Sequence, residues 1–254
     1  MKLDKIIMNP PYSGNLHLKI LSYIISLYPD AEIVNLSPAN QMFSGVRLIK
    51  DHSEIKKNPE LVQHIQDVDL IKPEEASAMF GASFAGPLML IHYDLTKEGK
   101  DYKEFNIIPN NFRSIFDKTV RAVYEGKYTS LWSIIKEGDC LKDKFSLTCP
   151  EVHGHQGQSD WAEITSKNYE KALASKQRWG WHLEFDTEEE RKNCWECWHL
   201  KSHMFIHSLI KADNFNKYQW LPALDYTHPW NDEMLYKYFG LNEDEIDIIE
   251  KDVK

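Results

Sequence analysis

The sequence predicts an α/β protein that opens with a strand, a helix and a second strand. Residues 2–8 (KLDKIIM) read as a short buried strand, and residues 31–36 (AEIVNL) form another that ends at Ser37-Pro38. Between them, residues 15–28 place apolar side chains at three-to-four spacing, which predicts an amphipathic helix. This strand–helix–strand order is the building block of a parallel sheet with helices on its faces.

Two further strands are predicted before residue 100. Residues 68–72 are the first, and residues 87–93 (PLMLIHY) are the second and clearer one. The stretch between them, residues 78–86, is rich in small residues and suits a reversal of the chain. We therefore expect a late hairpin at the edge of an otherwise parallel sheet.

The composition of the chain changes after about residue 100, where aromatic residues become more frequent and strands are harder to assign. We expect three parts: residues 1–108 with the sheet, a mixed α+β region at 109–200, and a helical segment at 201–254. A helical pattern returns from about residue 193. Near the end, Asn231 opens a helix that stops at Gly240, and Asn242 with Glu245 forms a capping box that starts the next one.

Composition and charge exclude several classes of protein. The 254 residues are 42% hydrophobic and 27% charged, and no apolar run approaches the roughly 20 residues needed to cross a bilayer. Four cysteines are too few for a disulfide framework, so a reducing cytoplasm is the expected compartment. The net charge of −9 disfavours nucleic-acid binding by bulk charge. Contact with DNA would have to be local, or a partner would bring the positive charge.

The four residues Asn9-Pro10-Pro11-Tyr12 follow directly after the first predicted strand. The two prolines fix the backbone and remove two N–H donors, which leaves the Pro10 carbonyl as an outward-pointing acceptor. The Asn9 side chain adds a second acceptor, and Tyr12 offers a flat ring for stacking. Loops at the carboxyl ends of parallel strands are where such sheets bind ligands. The loop therefore suits a planar aromatic amine.

This Asn-Pro-Pro-Tyr motif after a strand resembles motif IV of the amino-methyltransferases, above all the DNA adenine-N6 methyltransferases of restriction–modification systems. The resemblance implies half of a Rossmann-like class I methyltransferase sheet acting on double-stranded DNA. In that family the adenine is flipped out of the duplex and stacked on Tyr12, while Asn9 and Pro10 hold its amine and Pro11 stiffens the loop. The methyl donor is S-adenosylmethionine, with Asn9 and Pro10 beside it. No metal is expected, and the host would be a bacterium or its phage.

The resemblance continues downstream of the loop. Phe80 matches the aromatic residue that packs on the other side of the flipped base, although a core phenylalanine explains it equally well. Residues 109–200 correspond in position to a target-recognition domain, and the segment from Leu221 resembles the end of such enzymes. Within the recognition region, candidate base-reading side chains are His153, His155, Gln156 and Gln158. A solvated surface loop is the alternative for these four. Six basic residues nearby are either phosphate contacts or ordinary surface charges: Lys142, Lys144, Lys167, Lys171, Lys176 and Arg178.

The chain departs from this family at the cofactor site. The family carries a Gly-rich loop (F/D-x-G-x-G) before the Asn-Pro-Pro-Tyr strand, but only eight residues precede Asn9 and no Gly-x-Gly occurs anywhere. We therefore expect a split methyltransferase, in which a second protein chain supplies the cofactor-binding strands and pairs with residues 2–8. An unpaired central strand would otherwise expose its backbone groups.

Other interpretations remain open. Asn-Pro-Pro-Tyr also occurs in methyltransferases that act on protein glutamine, and a Pro-Pro turn that closes a strand needs no function at all. A degenerate methyltransferase that only recognises DNA or regulates another enzyme would retain the fold without the chemistry. Cys194, Cys197, His199 and His203 invite a zinc site, but a helix that packs these residues into a core is the alternative, and Cys140 and Cys149 lack ligand spacing.

Overall fold

The protein is a mixed α/β protein that divides into two compact units, Met1–Arg113 and Ser114–Lys254. The computed structural model describes residues 3–39, 43–44, 48–49, 62–84, 86–99, 108–137, 145–148, 163–164, 181–210 and 218–252.

The first unit is built on a four-stranded mixed sheet in the order β1-β2-β6-β5. Strands β1 and β2 are parallel, while β6 is antiparallel to both β2 and β5. Three of the four strands therefore share one direction, and β6 alone is reversed. The strands of this unit are β1 (Lys5–Met8), β2 (Glu32–Pro38), β3 (Phe43–Ser44), β4 (Leu48–Ile49), β5 (Ile65–Ile71) and β6 (Leu88–Asp94), with β3 and β4 paired to each other.

The predicted strand–helix–strand opening is confirmed. Helix α1 (Leu16–Leu27) joins β1 to β2 after a short 3₁₀ turn at Ser13–Asn15. The antiparallel pairing of β5 and β6 also agrees with the expected hairpin. The connection between them is not a simple reversal, however, because it contains helix α2 (Pro73–Phe80), which ends at Gly81 with a positive φ. The reversed strand also lies inside the sheet, between β2 and β5, rather than at its edge.

Both faces of the sheet carry apolar clusters, because side chains alternate along each strand. On one face, Ile33 of β2 and Ile91 of β6 pack against Leu18 and Leu21 of α1. On the other face, Leu36 and Leu88 pack with Ala76 of α2. The two helices therefore cover opposite faces, and the carboxyl ends of β1 and β2 lie between them.

The second unit has its own antiparallel sheet in the order β7-β10-β8-β9. Its strands are β7 (Lys136–Glu137), β8 (Phe145–Thr148), β9 (Glu163–Ile164) and β10 (Trp181–Phe185). The boundary between the two units falls within helix α3 (Asn110–Phe116), which continues through a π-helical turn at Asp117–Arg121 into α4 (Ala122–Tyr124). The remaining helices are α5 (Glu188–Trp198), α6 (Lys201–Ile210), α7 (Asp232–Phe239) and α8 (Glu243–Asp252). None of the described helices is both long and apolar enough to cross a lipid bilayer.

The ends of the last two helices follow the sequence signals. Asn231 accepts a hydrogen bond from the Met234 N–H at 2.9 Å, and α7 ends at Gly240 with φ of 64°. Asn242 and Glu245 exchange bonds of 2.9 and 2.7 Å, which is the expected capping box. The helical pattern from about residue 193 is confirmed, and it is divided between two helices, because α5 ends at Trp198 and α6 begins at Lys201.

Candidate functional site

The Asn-Pro-Pro-Tyr loop lies at the carboxyl end of β1, as the sequence predicts. The register pairs Met8 with Asn35, so the loop leaves β1 beside the last residues of β2. Asn9 is exposed, Pro10 is buried and Pro11 is exposed. The loop continues into the 3₁₀ turn, whose last residue, Asn15, has a φ of 62°. Asparagine tolerates this left-handed conformation better than most residues, and it lets the chain turn sharply into α1.

Contacts of both the hydroxyl group and the aromatic ring hold the Tyr12 side chain in place. Its hydroxyl donates to Asn9 Oδ1 at 2.7 Å, and the Leu36 carbonyl lies 3.4 Å from the same hydroxyl. Its ring meets the His17 ring edge-on, with centroids 5.7 Å apart and planes at 83°. Partial burial raises the pKa of Tyr12, so the phenol stays protonated near neutral pH and remains a donor.

The bond from Tyr12 was not foreseen and changes the state of Asn9. The amide oxygen that was expected to accept a ligand N–H already accepts the Tyr12 hydroxyl. A carbonyl oxygen has two lone pairs, so Asn9 Oδ1 retains one acceptor position. Since Asn9 is exposed, that position is open to a ligand. The internal bond also fixes the orientation of the amide before any ligand arrives.

The second aromatic residue of the predicted site is partly exposed. Phe80, at the end of α2, is 47% exposed and contacts Phe84 edge-on, with ring centroids 5.9 Å apart. Phe84 is half-buried in the same apolar cluster as Tyr12 and Leu36. Sequence reasoning singled out Phe80 and missed Phe84, although both lie in the connector between β5 and β6. The structure thus brings Tyr12 and Phe84 into one cluster, with Phe80 at its margin.

Two buried polar residues next to the loop were also missed. His17 is fully buried, and neither ring nitrogen has a side-chain hydrogen-bond partner among the described residues. Burial lowers the pKa of His17, and the Tyr12 backbone opposes this effect only in part. The Asn35 amide donates to Ser37 Oγ at 2.6 Å. Its Oδ1 atom is buried and has no hydrogen-bond partner among the residues that the structure describes. A histidine on the apolar side of the predicted helix was the available signal.

The candidate DNA-contacting residues predicted in the recognition region are not among those that the structure describes. The four candidate base-reading residues, His153, His155, Gln156 and Gln158, lie outside the described residues, as do the six basic residues near them. Residues 138–144 and 149–162 lie outside the description as well, which includes Cys140 and Cys149.

The CxxC segment is buried within the second unit. Cys194 and Cys197 are buried in α5, and burial raises the pKa of Cys197 to about 12. His203 is buried in α6 against the Trp198 ring, and burial lowers its pKa to about 3. Across the described ranges, no three His, Cys, Asp or Glu side chains form a group able to hold a metal.

Comparison with known proteins adds no relative. No family model matches the chain, and no curated protein or solved structure is significantly similar to it.

Proposed function

We propose that the chain is a subunit of a site-specific DNA adenine-N6 methyltransferase and carries the pocket for the flipped base. The observation that carries this proposal is the Tyr12–Asn9 pair at the carboxyl end of β1. It combines a pre-oriented amide acceptor, the Pro10 carbonyl and an aromatic ring within one four-residue loop. These are the groups that an exocyclic amine on a planar heterocycle requires.

Each residue of the loop has a distinct task in this proposal. Asn9 Oδ1 would accept one amine N–H through its remaining lone pair, and the Pro10 carbonyl would accept the other. Holding both protons directs the nitrogen lone pair toward the methyl donor, so positioning supplies most of the rate. Tyr12 would carry the base on its ring. Phe80 or Phe84 would close the opposite side, and the exposure of Phe80 leaves it room to move onto a ligand.

Taken alone, the described residues do not fit S-adenosylmethionine. They contain no Gly-rich loop, and the whole sequence lacks Gly-x-Gly. Asn9 and Pro10 are the residues of this chain that would border the cofactor, whose sulfonium supplies an already activated methyl group. The remaining contacts belong, in this proposal, to a second protein chain. The half-sheet of the first unit, with three strands in one direction, is consistent with the second half being added at β1.

The second unit would recognise the DNA sequence. It has a sheet and helices of its own, as a mixed α+β recognition domain requires. The net charge of −9 implies that phosphate contacts are few or come from the partner. The loop that contains His153 and Gln156 is the candidate for base reading in this unit.

Methyl incorporation from labelled S-adenosylmethionine into unmethylated duplex DNA tests the proposal. The chain is assayed alone and with the co-expressed product of the adjoining reading frame. We expect activity only in the pair. Asn9→Ala should lower kcat about 100-fold or more, as expected for loss of one oriented hydrogen bond to the reacting group. Asn110→Ala, an exposed asparagine of the same unit, is the matched control and should leave kcat unchanged.

Two variants of Tyr12 separate stacking from orientation. Tyr12→Ala removes the ring and should cost about 1–3 kcal/mol of base binding. Tyr12→Phe retains the ring but releases the Asn9 amide, so it should lower kcat several-fold while KM changes little. Equal effects of the two variants would contradict the assigned roles.

A catalytically inactive methyltransferase-like module for DNA recognition or regulation is the second candidate. The lack of Gly-x-Gly in the sequence and the net charge of −9 favour this second candidate. Sequence-specific DNA binding without methyl incorporation in any mixture would select this candidate, whereas loss of incorporation in Asn9→Ala would exclude it.

A further inference from the structure

Strand β1 lies at the edge of its sheet, yet it has the side chains of an internal strand. It pairs with β2 on one side, and no described strand pairs with its other side. Ile6 and Met8 point toward the α1 face and are only half-buried, while Ile7 on the opposite face is 86% exposed. Strands that are apolar on both faces are typical of sheet interiors, where both sides are covered.

The backbone of β1 offers hydrogen-bonding groups at this open edge. The Asp4 carbonyl accepts the Glu32 N–H at 2.9 Å, so Asp4 and every second residue after it face β2. The N–H and C=O groups of Lys5 and Ile7 therefore point away from the sheet. Lysine often blunts an exposed edge, but Lys5 instead pairs with Glu32 on β2 at 3.1 Å, which draws its ammonium group over the sheet.

Helix α1 presents a second apolar surface beyond the one that covers the sheet. Its inward side holds Leu18 and Leu21, whereas Leu16, Ile20, Tyr23 and Leu27 recur at intervals of four, three and four residues. That spacing is the seam of a helix–helix contact. Leu16 is 42% exposed, Tyr23 63% and Leu27 49%, so the described residues leave most of the seam uncovered. The polar side chains of the helix lie on a third side, apart from both the seam and the inward side: Lys19, Ser22 and Ser26.

We propose that β1 and the α1 seam together form the docking surface for a strand-plus-helix segment of a second protein chain. The strand would pair with Lys5 and Ile7, and its helix would pack along Leu16, Ile20, Tyr23 and Leu27. This inference rests on the proposed function, in which a second protein chain supplies the cofactor-binding strands. The net charge of −9 disfavours a second copy of this chain as the occupant.

Sedimentation of the full chain with the purified product of the adjoining reading frame, without DNA or cofactor, tests the surface. We expect a monomer for the chain alone and a one-to-one complex for the mixture. Tyr23→Lys should weaken the complex about tenfold or more, since an interface aromatic residue is lost. Ser26→Lys adds the same charge to the same helix outside the seam and should change the dissociation constant less than about twofold. Ile7→Lys should weaken the complex as strongly as Tyr23→Lys.

Amide hydrogen exchange locates the strand contact. The amides of Lys5 and Ile7 should exchange rapidly in the free chain and become protected in the complex, whereas Ile6 and Met8 should be protected in both. Absence of a complex, or a complex that tolerates both Ile7→Lys and Tyr23→Lys, would overturn the proposal. A homodimer of the chain that Ile7→Lys dissociates would also overturn it, because a second copy would then be the occupant. A complex with the expected sensitivities but no methyl transfer would refute only the proposed function.

Discussion

The buried carboxylate of Glu245 should make the stability of the second unit depend on pH. Its Oε2 accepts the Asn242 N–H at 2.7 Å and the Lys118 ammonium at 2.7 Å, while its Oε1 accepts the Ser114 hydroxyl at 2.5 Å. Burial alone would raise the pKa of Glu245. The bonds from Lys118, Ser114 and the Asn242 backbone outweigh burial, and the pKa lies below the ordinary value of 4.5.

The size of the effect follows from the three bonds. The helix cap and the Ser114 bond contribute about 1 kcal/mol each. The Lys118 side chain is 34% exposed, so solvent screening reduces the ion pair to about 1 kcal/mol or less. Glu245→Ala should therefore lower the free energy of unfolding by about 3 kcal/mol at pH 7. Glu245→Gln retains an acceptor and should cost about half as much.

The pH dependence distinguishes charge from shape. A group whose folded pKa is depressed stabilises the protein above its unfolded pKa, and that contribution is lost as the pH falls through the folded value. The penalty of Glu245→Gln should therefore shrink as the pH is lowered below 4.5. All eight tryptophans follow residue 113, so urea unfolding monitored by tryptophan fluorescence reports directly on the second unit.

A matched control lies in the same helix. Glu243 is exposed in the first turn of α8, and Glu243→Gln should change the free energy of unfolding by less than about 0.5 kcal/mol at any pH. An equal penalty for Glu245→Gln at pH 7 and pH 3.5, or an equal penalty for the Glu243 variant, would refute the reasoning.

Three further substitutions test the packing. Leu21→Ala empties a fully buried site beneath α1 and should lower the free energy of urea unfolding, followed by circular dichroism, by about 3 kcal/mol. Tyr93→Phe removes a buried hydroxyl that has no partner among the described residues, so the same measurement should show unchanged or higher stability. Gly240→Ala places a side chain at a φ of 64° and should cost about 1 kcal/mol by tryptophan fluorescence, and no loss would contradict the turn geometry.

The parts of the fold that could be predicted from sequence depend on local signals. The cap at Asn242 needs only residues within one turn, and the order of β1, α1 and β2 follows from apolar periodicity over short windows. The insertion of β6 between β2 and β5 could not be predicted, because strand order depends on contacts between distant segments. The break between α5 and α6 after Trp198 could not be predicted from apolar periodicity either, because the segments on both sides of it have an apolar face.

In the candidate site, too, local sequence signals predict some features, while others depend on contacts between distant segments. The position of Asn9 and Tyr12 beyond β1 follows from the motif and the strand before it. The bond between their side chains depends on the backbone path through two prolines, which a residue pattern does not specify. The burial of His17 and the contact of Phe84 with the Tyr12 cluster depend on how α1 and the β5–β6 connector fold back over the strand ends.

The bond from Ser114 to Glu245 joins the first and last helices of the second unit across 131 positions of sequence. The entry point of this unit therefore lies beside the start of its last helix, α8. A contact of this kind ties the start of the unit to its last helix, so we expect the two helices to open together rather than separately.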